Sequence, residues 1–135
     1  MIVIDTSAVL AILTSEPTAR RLATRINGER ERVMSVASYL EAGTVMASRR
    51  GSDRSRAIIF LDAFLADTRI ELRPVDEQQA RIALDARIRY GRGMGHGGKL
   101  NYGDTFSYAL AKSLDAPLLY IGQDFAMTDI TSALG

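Results

Sequence analysis

Residues 100–125, LNYGDTFSYALAKSLDAPLLYIGQDF, decide the fold because a helical pattern passes there directly into a short apolar run. Apolar side chains recur at helical spacing from Phe106 to Leu110, and Pro117 ends the helix that this spacing predicts. The run at 118–121 then predicts a strand that is buried on both faces. A helix followed at once by a buried strand is typical of a parallel α/β sheet.

Each of these two elements carries an aspartate. Asp104 stands at the start of the helix, three residues after the capping residue Asn101, and Asp124 follows the strand. Aspartates at the mouths of neighbouring elements repel each other unless positive charge lies between them. An acid in the first helical turn also has a structural explanation, since it interacts favourably with the helix dipole. Both interpretations of Asp104 stay open on this pattern.

The chain opens on another apolar strand, Ile2-Val3-Ile4, which Asp5-Thr6-Ser7 ends abruptly before a helix-prone segment at 8–13. A continuous apolar strand favours a parallel sheet that helices cover on both faces. Asp5 could serve as the cap of the following helix. It would also stand at the carboxyl end of a central strand, where open α/β sheets hold their ligands.

Helices and strands alternate through the rest of the chain. The patterns predict helices at 18–26, 37–50, 53–67 and 77–90, the last capped by Asp76, and strands at 33–36 and 70–72. This alternation predicts an α/β fold, a three-layer α/β/α sandwich around a mainly parallel sheet of four or five strands. No linker or repeat divides the chain, so we expect residues 1–135 to form a single domain.

Glu41 lies in helix 37–50 among small and apolar neighbours. Its carboxylate is either partly enclosed, and then needs a partner, or exposed at the helix edge. The carboxyl ends of parallel strands share one edge of the sheet, which brings Asp5 and Asp124 to the same side. Asp104 starts the helix that feeds the last strand. That position predicts the opposite end of the crossover, so convergence would need a kinked or displaced helix start.

The loop at 91–99, GRGMGHGGK, holds five glycines and matches no phosphate-binding fingerprint. It is either a mobile loop or a flap beside the acidic edge. As a flap it would bring three cationic or titratable side chains towards a polyanion: Arg92, His96 and Lys99. His96 is the single histidine of the chain, and its place in a glycine loop predicts a solvated side chain.

Composition excludes several classes of protein. The chain has no cysteine, so it forms neither disulfides nor thiolate metal sites. No apolar run approaches the roughly 20 residues that a membrane-spanning helix needs, and the N-terminal segment lacks the charge pattern of a signal peptide. We therefore expect a cytoplasmic protein without a membrane partner. The 15 arginines against 2 lysines suit carboxylate or phosphate recognition, or reflect codon bias.

Other nucleotide and phosphate chemistries fit the sequence poorly. A dinucleotide-binding fold needs glycines after the first strand, where this chain has Asp5-Thr6-Ser7. A phosphatase of the haloacid dehalogenase type needs a second aspartate at position 7. A receiver domain needs an acceptor aspartate at a later strand end, but the third strand runs into Arg73-Pro74.

Ordered motifs along nearly the whole chain carry a family resemblance: Val3-Ile4-Asp5-Thr6-Ser7, Ser38-Tyr39-Leu40-Glu41, Leu100-Asn101-Tyr102-Gly103-Asp104 with Ser107-Tyr108-Ala109-Leu110-Ala111-Lys112, and Gly122-Gln123-Asp124-Phe125 with Thr128-Asp129-Ile130. The sequence resembles the PIN-domain ribonucleases, specifically the VapC toxins of type II toxin–antitoxin systems. Thr105 is a small departure, because relatives often carry cysteine there.

The resemblance implies that the acids at the motif positions form one metal-binding catalytic cluster: Asp5, Glu41, Asp104 and Asp124. Asp5 and Asp104 would be the main metal ligands, the hydroxyl of Thr6 or Ser7 would assist, and Asp129 would be a fifth, less central acid. Hard carboxylate oxygens suit Mg²⁺ or Mn²⁺. The implied activity is metal-dependent endonucleolytic hydrolysis of RNA phosphodiesters.

Three partners follow from the same resemblance: an RNA substrate, a small VapB-like antitoxin, and a second copy of the chain in a homodimer. Helix 53–67 has more apolar surface than one core-facing stripe needs. The surface of helices 37–50 and 53–67 is therefore the expected docking face, in a helix-in-groove mode. The alternative is a non-catalytic PIN-like module that binds RNA or a partner without cutting.

Overall fold

A computed structural model describes residues 1–49, 51 and 53–135 of the chain. In these residues the strands are β1 (Ile2–Ile4), β2 (Arg32–Ser35), β3 (Glu71–Arg73) and β4 (Leu118–Leu119). The helices are α1 (Thr6–Leu13), α2 (Ala19–Asn27), α3 (Val36–Ser48), α4 (Arg54–Asp67), α5 (Glu77–Tyr90) and α6 (Asp104–Ser113).

The four strands form one sheet in the order β3-β2-β1-β4, and every pair is parallel. Val3 of β1 pairs with Val33 of β2 on one side and with Leu118 of β4 on the other. The first strand of the chain is thus central. Its carboxyl end points to the middle of one sheet edge, where a ligand can be reached from several elements.

Successive side chains along the strands point to opposite faces of the sheet and pack into two separate cores. Ile2 and Ile4 point into a cluster built with α1, α2, α3 and α4, whereas Val3 points into a second cluster built with α5 and α6. All three side chains of β1 are fully buried. A strand covered on both faces explains the continuous apolar run, and the predicted three-layer α/β/α sandwich is confirmed.

Short junctions place polar groups at the carboxyl edge of the sheet. Asp5 separates β1 from α1 and caps that helix, and Ser35 ends β2 and caps α3 in the same way. Both caps use the side chain to accept a hydrogen bond from an amide of the first turn. The edge is therefore formed by strand ends and helix starts together.

The expectation for Asp104 was wrong in its geometry. A helix that precedes a parallel strand runs back along the sheet, so it begins at the carboxyl edge and not at the opposite end. α6 starts at Asp104, and Ser107 one turn later reaches Asp5. No kink or displacement of the helix start is needed.

Other boundaries differ by a few residues from the sequence patterns. The predicted strand at 118–121 is a strand only over Leu118–Leu119, and the sheet has four strands. The predicted helix at 37–50 ends at Ser48, and its last predicted residue, Arg50, lies outside the described part of the chain. The predicted helix at 77–90 and its Asp76 cap are confirmed.

The C-terminal segment lies alongside β4. Ser132 forms an isolated parallel bridge with Leu118, and Arg25 of α2 donates from Nε to the carbonyl oxygen of Ala133 over 2.8 Å. Across the residues that the structure describes, no helix is long and apolar enough to cross a membrane.

Candidate active site

Asp5 is the centre of the acidic edge. It is 2% exposed, and both carboxylate oxygens accept hydrogen bonds. Oδ2 accepts from the backbone amide of Ser7 over 2.9 Å and from the Ser7 hydroxyl over 2.6 Å. Oδ1 accepts from the Ser107 hydroxyl over 2.6 Å. The orientation of the carboxylate is therefore fixed by neutral donors from two helices, and its charge is not neutralised by them.

The hydroxyl groups behind Asp5 form a buried chain. Ser107 and Ser38 are 0% and 1% exposed, and their hydroxyl oxygens lie 2.9 Å apart. Because Ser107 donates its single proton to Asp5, Ser38 must be the donor to Ser107. The Thr6 hydroxyl donates to the backbone carbonyl of Ser38 over 3.0 Å. This chain links α1, α3 and α6 behind one carboxylate.

Asp104 is brought to the edge by a reciprocal cap. Its backbone amide donates to Oδ1 of Asn101 over 2.9 Å, and its Oδ2 accepts from the Asn101 amide over 3.0 Å. Burial raises the pKa of Asp104 to about 7, against the lowering effect of the Asn101 amide. The negative charges of Asp5, Asp124 and Glu41 contribute to this raised pKa, so three of the predicted acids act on the fourth.

Glu41 approaches the same point from α3. It is half-buried, which settles the earlier alternative in favour of an enclosed carboxylate. Burial raises its pKa, the Thr6 hydroxyl acts in the opposite direction, and the charge of Asp5 raises it again. A Cβ added to Gly103 would overlap Oε2 of Glu41. Glycine before Asp104 is therefore what lets a carboxylate from α3 reach the start of α6.

Asp124 lies on the open side of the edge and meets the glycine-rich loop. Nη2 of Arg92 is 4.0 Å from Oδ1 of Asp124; the Arg92 side chain is largely in solvent and that of Asp124 is partly exposed. An ion pair of this kind is weak. It does place Arg92 beside the acids, as the flap hypothesis predicted.

The loop is anchored at its base and exposed at its tip. Backbone hydrogen bonds join Arg92 and Leu100, and Nη1 of Arg87 donates to the Arg92 carbonyl over 3.0 Å. His96 and Lys99 are exposed. The structure thus brings one of the three predicted RNA-binding side chains to the acids and leaves the other two on the outer surface of the loop.

Asp129, the less central fifth acid of the prediction, is held by donors of α6 and is not among the charges that act on Asp104. Its Oδ1 accepts from the Tyr108 hydroxyl over 2.5 Å, and its Oδ2 pairs with Lys112 over 3.0 Å. These contacts, the Tyr108 hydrogen bond first, lower the pKa of Asp129. Both donors lie on α6, so Asp129 ties the C-terminal segment to that helix.

The donor set fits the implied Mg²⁺ or Mn²⁺. Asp5 and Asp104 offer hard oxygens, and the raised pKa of Asp104 reflects burial and repulsion that a bound cation would offset. Within residues 1–49, 51 and 53–135, no three His, Cys, Asp or Glu side chains stand close enough together to hold an ion directly. Mg²⁺ retains several waters and commonly takes one or two carboxylates, which matches a site centred on Asp5 and Asp104.

Three contributors to this site were missed as functional residues: Ser38, Gly103 and Ser107. Each lies inside a motif that carried the family resemblance, but small residues on a helix predict packing and not a role at the edge. Their contribution depends on the crossing of α3, α6 and β1. Helical spacing within one element does not reveal such a crossing.

We expect Asp104→Asn to stabilise the metal-free protein at pH 8. The folded-state pKa of about 7 exceeds the ordinary 3.8, so the native state holds more protons than the unfolded chain between these values. Stability through this group therefore falls as pH rises from about 4 to about 7 and stays reduced above. The gain should be about 5 °C in Tm at pH 8 and near zero at pH 4, measured by thermal unfolding in EDTA.

Asp129→Asn is the matched control for that measurement. Its pKa is lowered, so its ionised form stabilises the fold above the ordinary pKa, and this stability is lost as pH falls. The control should therefore lower Tm at pH 8. An Asp104→Asn variant whose Tm gain is the same at pH 4 and pH 8 would contradict the assignment of charge repulsion to Asp104.

Comparison with known proteins assigns the family. The PIN domain family model matches residues 2–130. The chain is 47% identical over 130 residues to "Ribonuclease VapC" of Mycolicibacterium smegmatis, covering 96% of this chain and 98% of that protein. Such identity over the full length places the two proteins in one family.

Solved structures agree on the fold. The crystal structure of Mycobacterium tuberculosis VapC20, described as a sarcin-ricin loop cleaving toxin, superposes with a TM-score of 0.74 at 16% identity, covering 97% of both chains. A toxin–antitoxin complex from Klebsiella pneumoniae gives a TM-score of 0.68 at 14% identity, covering 96% of this chain and 93% of the other. With its acidic edge, parallel sheet and full-length relatives, the chain belongs to the PIN-domain family and, within it, to the VapC ribonucleases.

Proposed function

We propose that this VapC-family protein is the toxin of a toxin–antitoxin pair and cuts RNA phosphodiesters endonucleolytically with Mg²⁺ or Mn²⁺ at its acidic edge. The observation that supports the metal dependence is the pair of buried carboxylates, Asp5 and Asp104, that repel each other without a neutralising cation. Carboxylates in this arrangement bind a hard divalent ion more readily than they stay ionised alone.

The surroundings of each acidic side chain determine the role that we assign to it. Asp5 is held in one orientation by Ser7 and Ser107, and it offers its remaining lone pairs to an ion. Because its pKa is raised to about 7, Asp104 retains a proton in part at neutral pH. A bound cation would favour the ionised carboxylate, and Asp104 would then release this proton. Bound Mg²⁺ would supply a water of lowered pKa and positive charge beside the leaving oxygen.

Glu41 and Asp124 complete the edge on either side. Glu41, enclosed beside Gly103, would orient a second ion or its water ligands. Asp124 is more exposed and would bind directly or through water. Arg92 pairs weakly with Asp124 and is free to exchange this carboxylate for an RNA phosphate, because the guanidinium fork fits either group.

We expect Asp5→Asn to remove RNA cleavage while leaving the fold intact. The loss should be at least about 1,000-fold, since the substitution removes a ligand charge that the transition state requires. The measurement is initial cleavage of total RNA in Mg²⁺, with circular dichroism to check folding. Asp129→Asn is the control: it lies outside the acidic edge and should keep activity within a few-fold of wild type.

Full Mg²⁺-dependent activity in a folded Asp5→Asn variant would contradict the proposal. A titration with Mn²⁺ separates the enzyme from a non-catalytic PIN-like module. In the enzyme, wild type binds Mn²⁺ and Asp5→Asn loses that binding. In a module without chemistry, the two proteins show no difference in metal binding.

Ser107 should act on metal affinity through Asp5. Removing its hydroxyl frees one oxygen of the Asp5 carboxylate to rotate, and loss of such an outer contact typically weakens metal binding about 10- to 100-fold. Calorimetric Mn²⁺ titration of Ser107→Ala should show this loss, and Ser38→Ala, one hydroxyl further away, a smaller one. The control is Ser113→Ala on the same helix, whose hydroxyl bonds only the Leu110 carbonyl. Equal affinity of Ser107→Ala and this control would exclude an orienting role.

We further propose that a VapB-like antitoxin docks on the exposed face of α3 and α4, and that the toxin forms a homodimer. Leu40 is 69% exposed, Ile59 68% and Phe60 53%. Phe60 also borders a groove of about 350 Å³ that continues to Met46 and Leu13. Phe64, by contrast, packs against the core, so it is part of the fold and not of the free face. An amphipathic segment laid on this face would bury the three exposed side chains.

Phe60→Glu should weaken antitoxin binding at least about tenfold without unfolding the toxin, because it puts a charge at the border of the groove. The checks are co-purification with the cognate antitoxin and light scattering of the free toxin. Asp67→Ala, at an exposed position of the same helix outside the groove, is the control. A Phe60→Glu variant that retains both antitoxin affinity and dimer mass would remove this face from the proposal.

A further inference from the structure

A second concave surface lies directly beside the acids, between the outer faces of α5 and α6. This α5–α6 groove has a volume of about 190 Å³ and is lined by Ala80, Ala83, Leu84, Arg87, Tyr102 and Phe106. Tyr102 lines the groove and stands one residue before Gly103 and two before Asp104 in the sequence. Since Glu41 lies against Gly103, the groove opens at the acidic edge itself.

The groove presents an aromatic ring to solvent. Tyr102 is 72% exposed, and the ring of Phe106 supports it edge-on, with centroids 5.2 Å apart and planes at 87°. Leu84 across the groove is 62% exposed. An exposed aromatic ring over an apolar floor suits a flat, partly apolar ligand, and unpaired nucleobases stack on such rings in single-stranded RNA complexes.

A cation connects this groove to the flap. Arg87 lines the groove and also donates from Nη1 to the carbonyl of Arg92, whose own side chain reaches Asp124. Its remaining N–H groups can meet the backbone of a nucleic acid strand, which gives the groove the charge complementarity that a phosphate-bearing ligand needs. A groove of apolar side chains alone would offer no such contact.

From this arrangement we propose that the α5–α6 groove is a nucleobase subsite, in which Tyr102 stacks on the unpaired base of a nucleotide next to the scissile phosphate. The proposal rests on the ribonuclease function proposed above and adds to it the recognition of single-stranded RNA at a defined position. A protein partner is the competing occupant. The groove is short, its residue Tyr102 is two positions from Asp104, and its residue Arg87 is bonded to the base of the flap, which favours a base over a packed helix.

The test uses the absence of tryptophan from the chain. Tyr102→Trp creates a single fluorescent reporter in the groove, and Asp5→Asn in the same protein prevents cleavage. Oligouridylate and oligoadenylate of six nucleotides are titrated in Mg²⁺, together with an abasic ribose-phosphate oligomer of equal length. Base stacking should quench the tryptophan with the two base-bearing strands and not with the abasic one. Tyr39→Trp, on α3 away from the groove, should show no base-dependent quenching.

Kinetics give the second readout, with Asp5 intact. Tyr102→Ala should raise KM for a short single-stranded RNA about tenfold with little change in kcat, and Tyr102→Phe should retain wild-type KM because it keeps the ring. Tyr102 is exposed, so both variants should unfold at the wild-type temperature. Equal quenching by the abasic strand, or an unchanged KM for Tyr102→Ala, would overturn the subsite.

Two further outcomes are decisive. If Tyr102→Ala changes the oligomeric mass in light scattering, the groove is an interface between copies of the chain and the nucleobase proposal is wrong. If Asp5→Asn cuts RNA as well as wild type, the proposed metal-dependent chemistry fails on its own measurement. In that case the subsite is decided by the initial quenching, read by stopped flow before the oligomers are cut, because this signal reports binding and not cleavage.

Discussion

Mutual repulsion among carboxylates at one edge of the sheet is the constraint on which the rest of this structure depends. Asp5 is fixed by hydroxyl and amide donors, all of them neutral, and Asp104 keeps a raised pKa because it is buried and because the acids around it are negative. The protein holds these groups together without cancelling their charge. Arg92, the cation that does approach, remains at 4.0 Å in solvent. Such an edge holds negative charge together at a cost in stability, and this charge is what supports the proposed metal site.

The fold supports this repulsive edge although its sheet is small. Strands of two to four residues suffice because β1, β2 and β4 are almost entirely buried, whereas the edge strand β3 is partly exposed, and β1 lies between two parallel neighbours. Helices that begin at the carboxyl edge supply the second half of the site. α1 contributes the cap at Asp5, α3 contributes Glu41, and α6 contributes both Asp104 and the hydroxyl that holds Asp5 in place. Asp5 and Asp104 thus sit at secondary-structure boundaries, whereas Glu41 lies more than one turn inside α3.

Much of this could be predicted from the sequence because the relevant signals are local. The run Ile2-Val3-Ile4 predicts a strand buried on both faces, and Asp76 predicts the start of α5. The position of Asp104 was misjudged because the direction of a helix before a parallel strand was taken the wrong way round. That direction follows from topology and could have been derived without coordinates.

Other features are beyond reach of pattern and spacing. The hydrogen bond between Ser107 and Asp5 joins residues 102 positions apart, and neither side chain indicates the other. Asp129 stands in an acid-bearing motif, yet Tyr108 and Lys112 of the same region satisfy it locally. Whether an acid joins the edge or a structural ion pair depends on which donors the folded chain brings near it, and this is a property of the packing.

The parts of the acidic edge are far apart along the chain, so the ribosome synthesises them at different times. Asp5 emerges from the ribosome early, but Ser107 follows 102 residues later and Ile121, whose amide contacts the Ser7 hydroxyl, 114 residues after Ser7. At about 5–20 residues per second, this interval lasts roughly 5–20 seconds. A nascent chain therefore carries its first acid through this interval without the groups that orient it. The acidic edge can assemble only after Ser107 and Ile121 have been made, so translation itself delays the appearance of a competent nuclease.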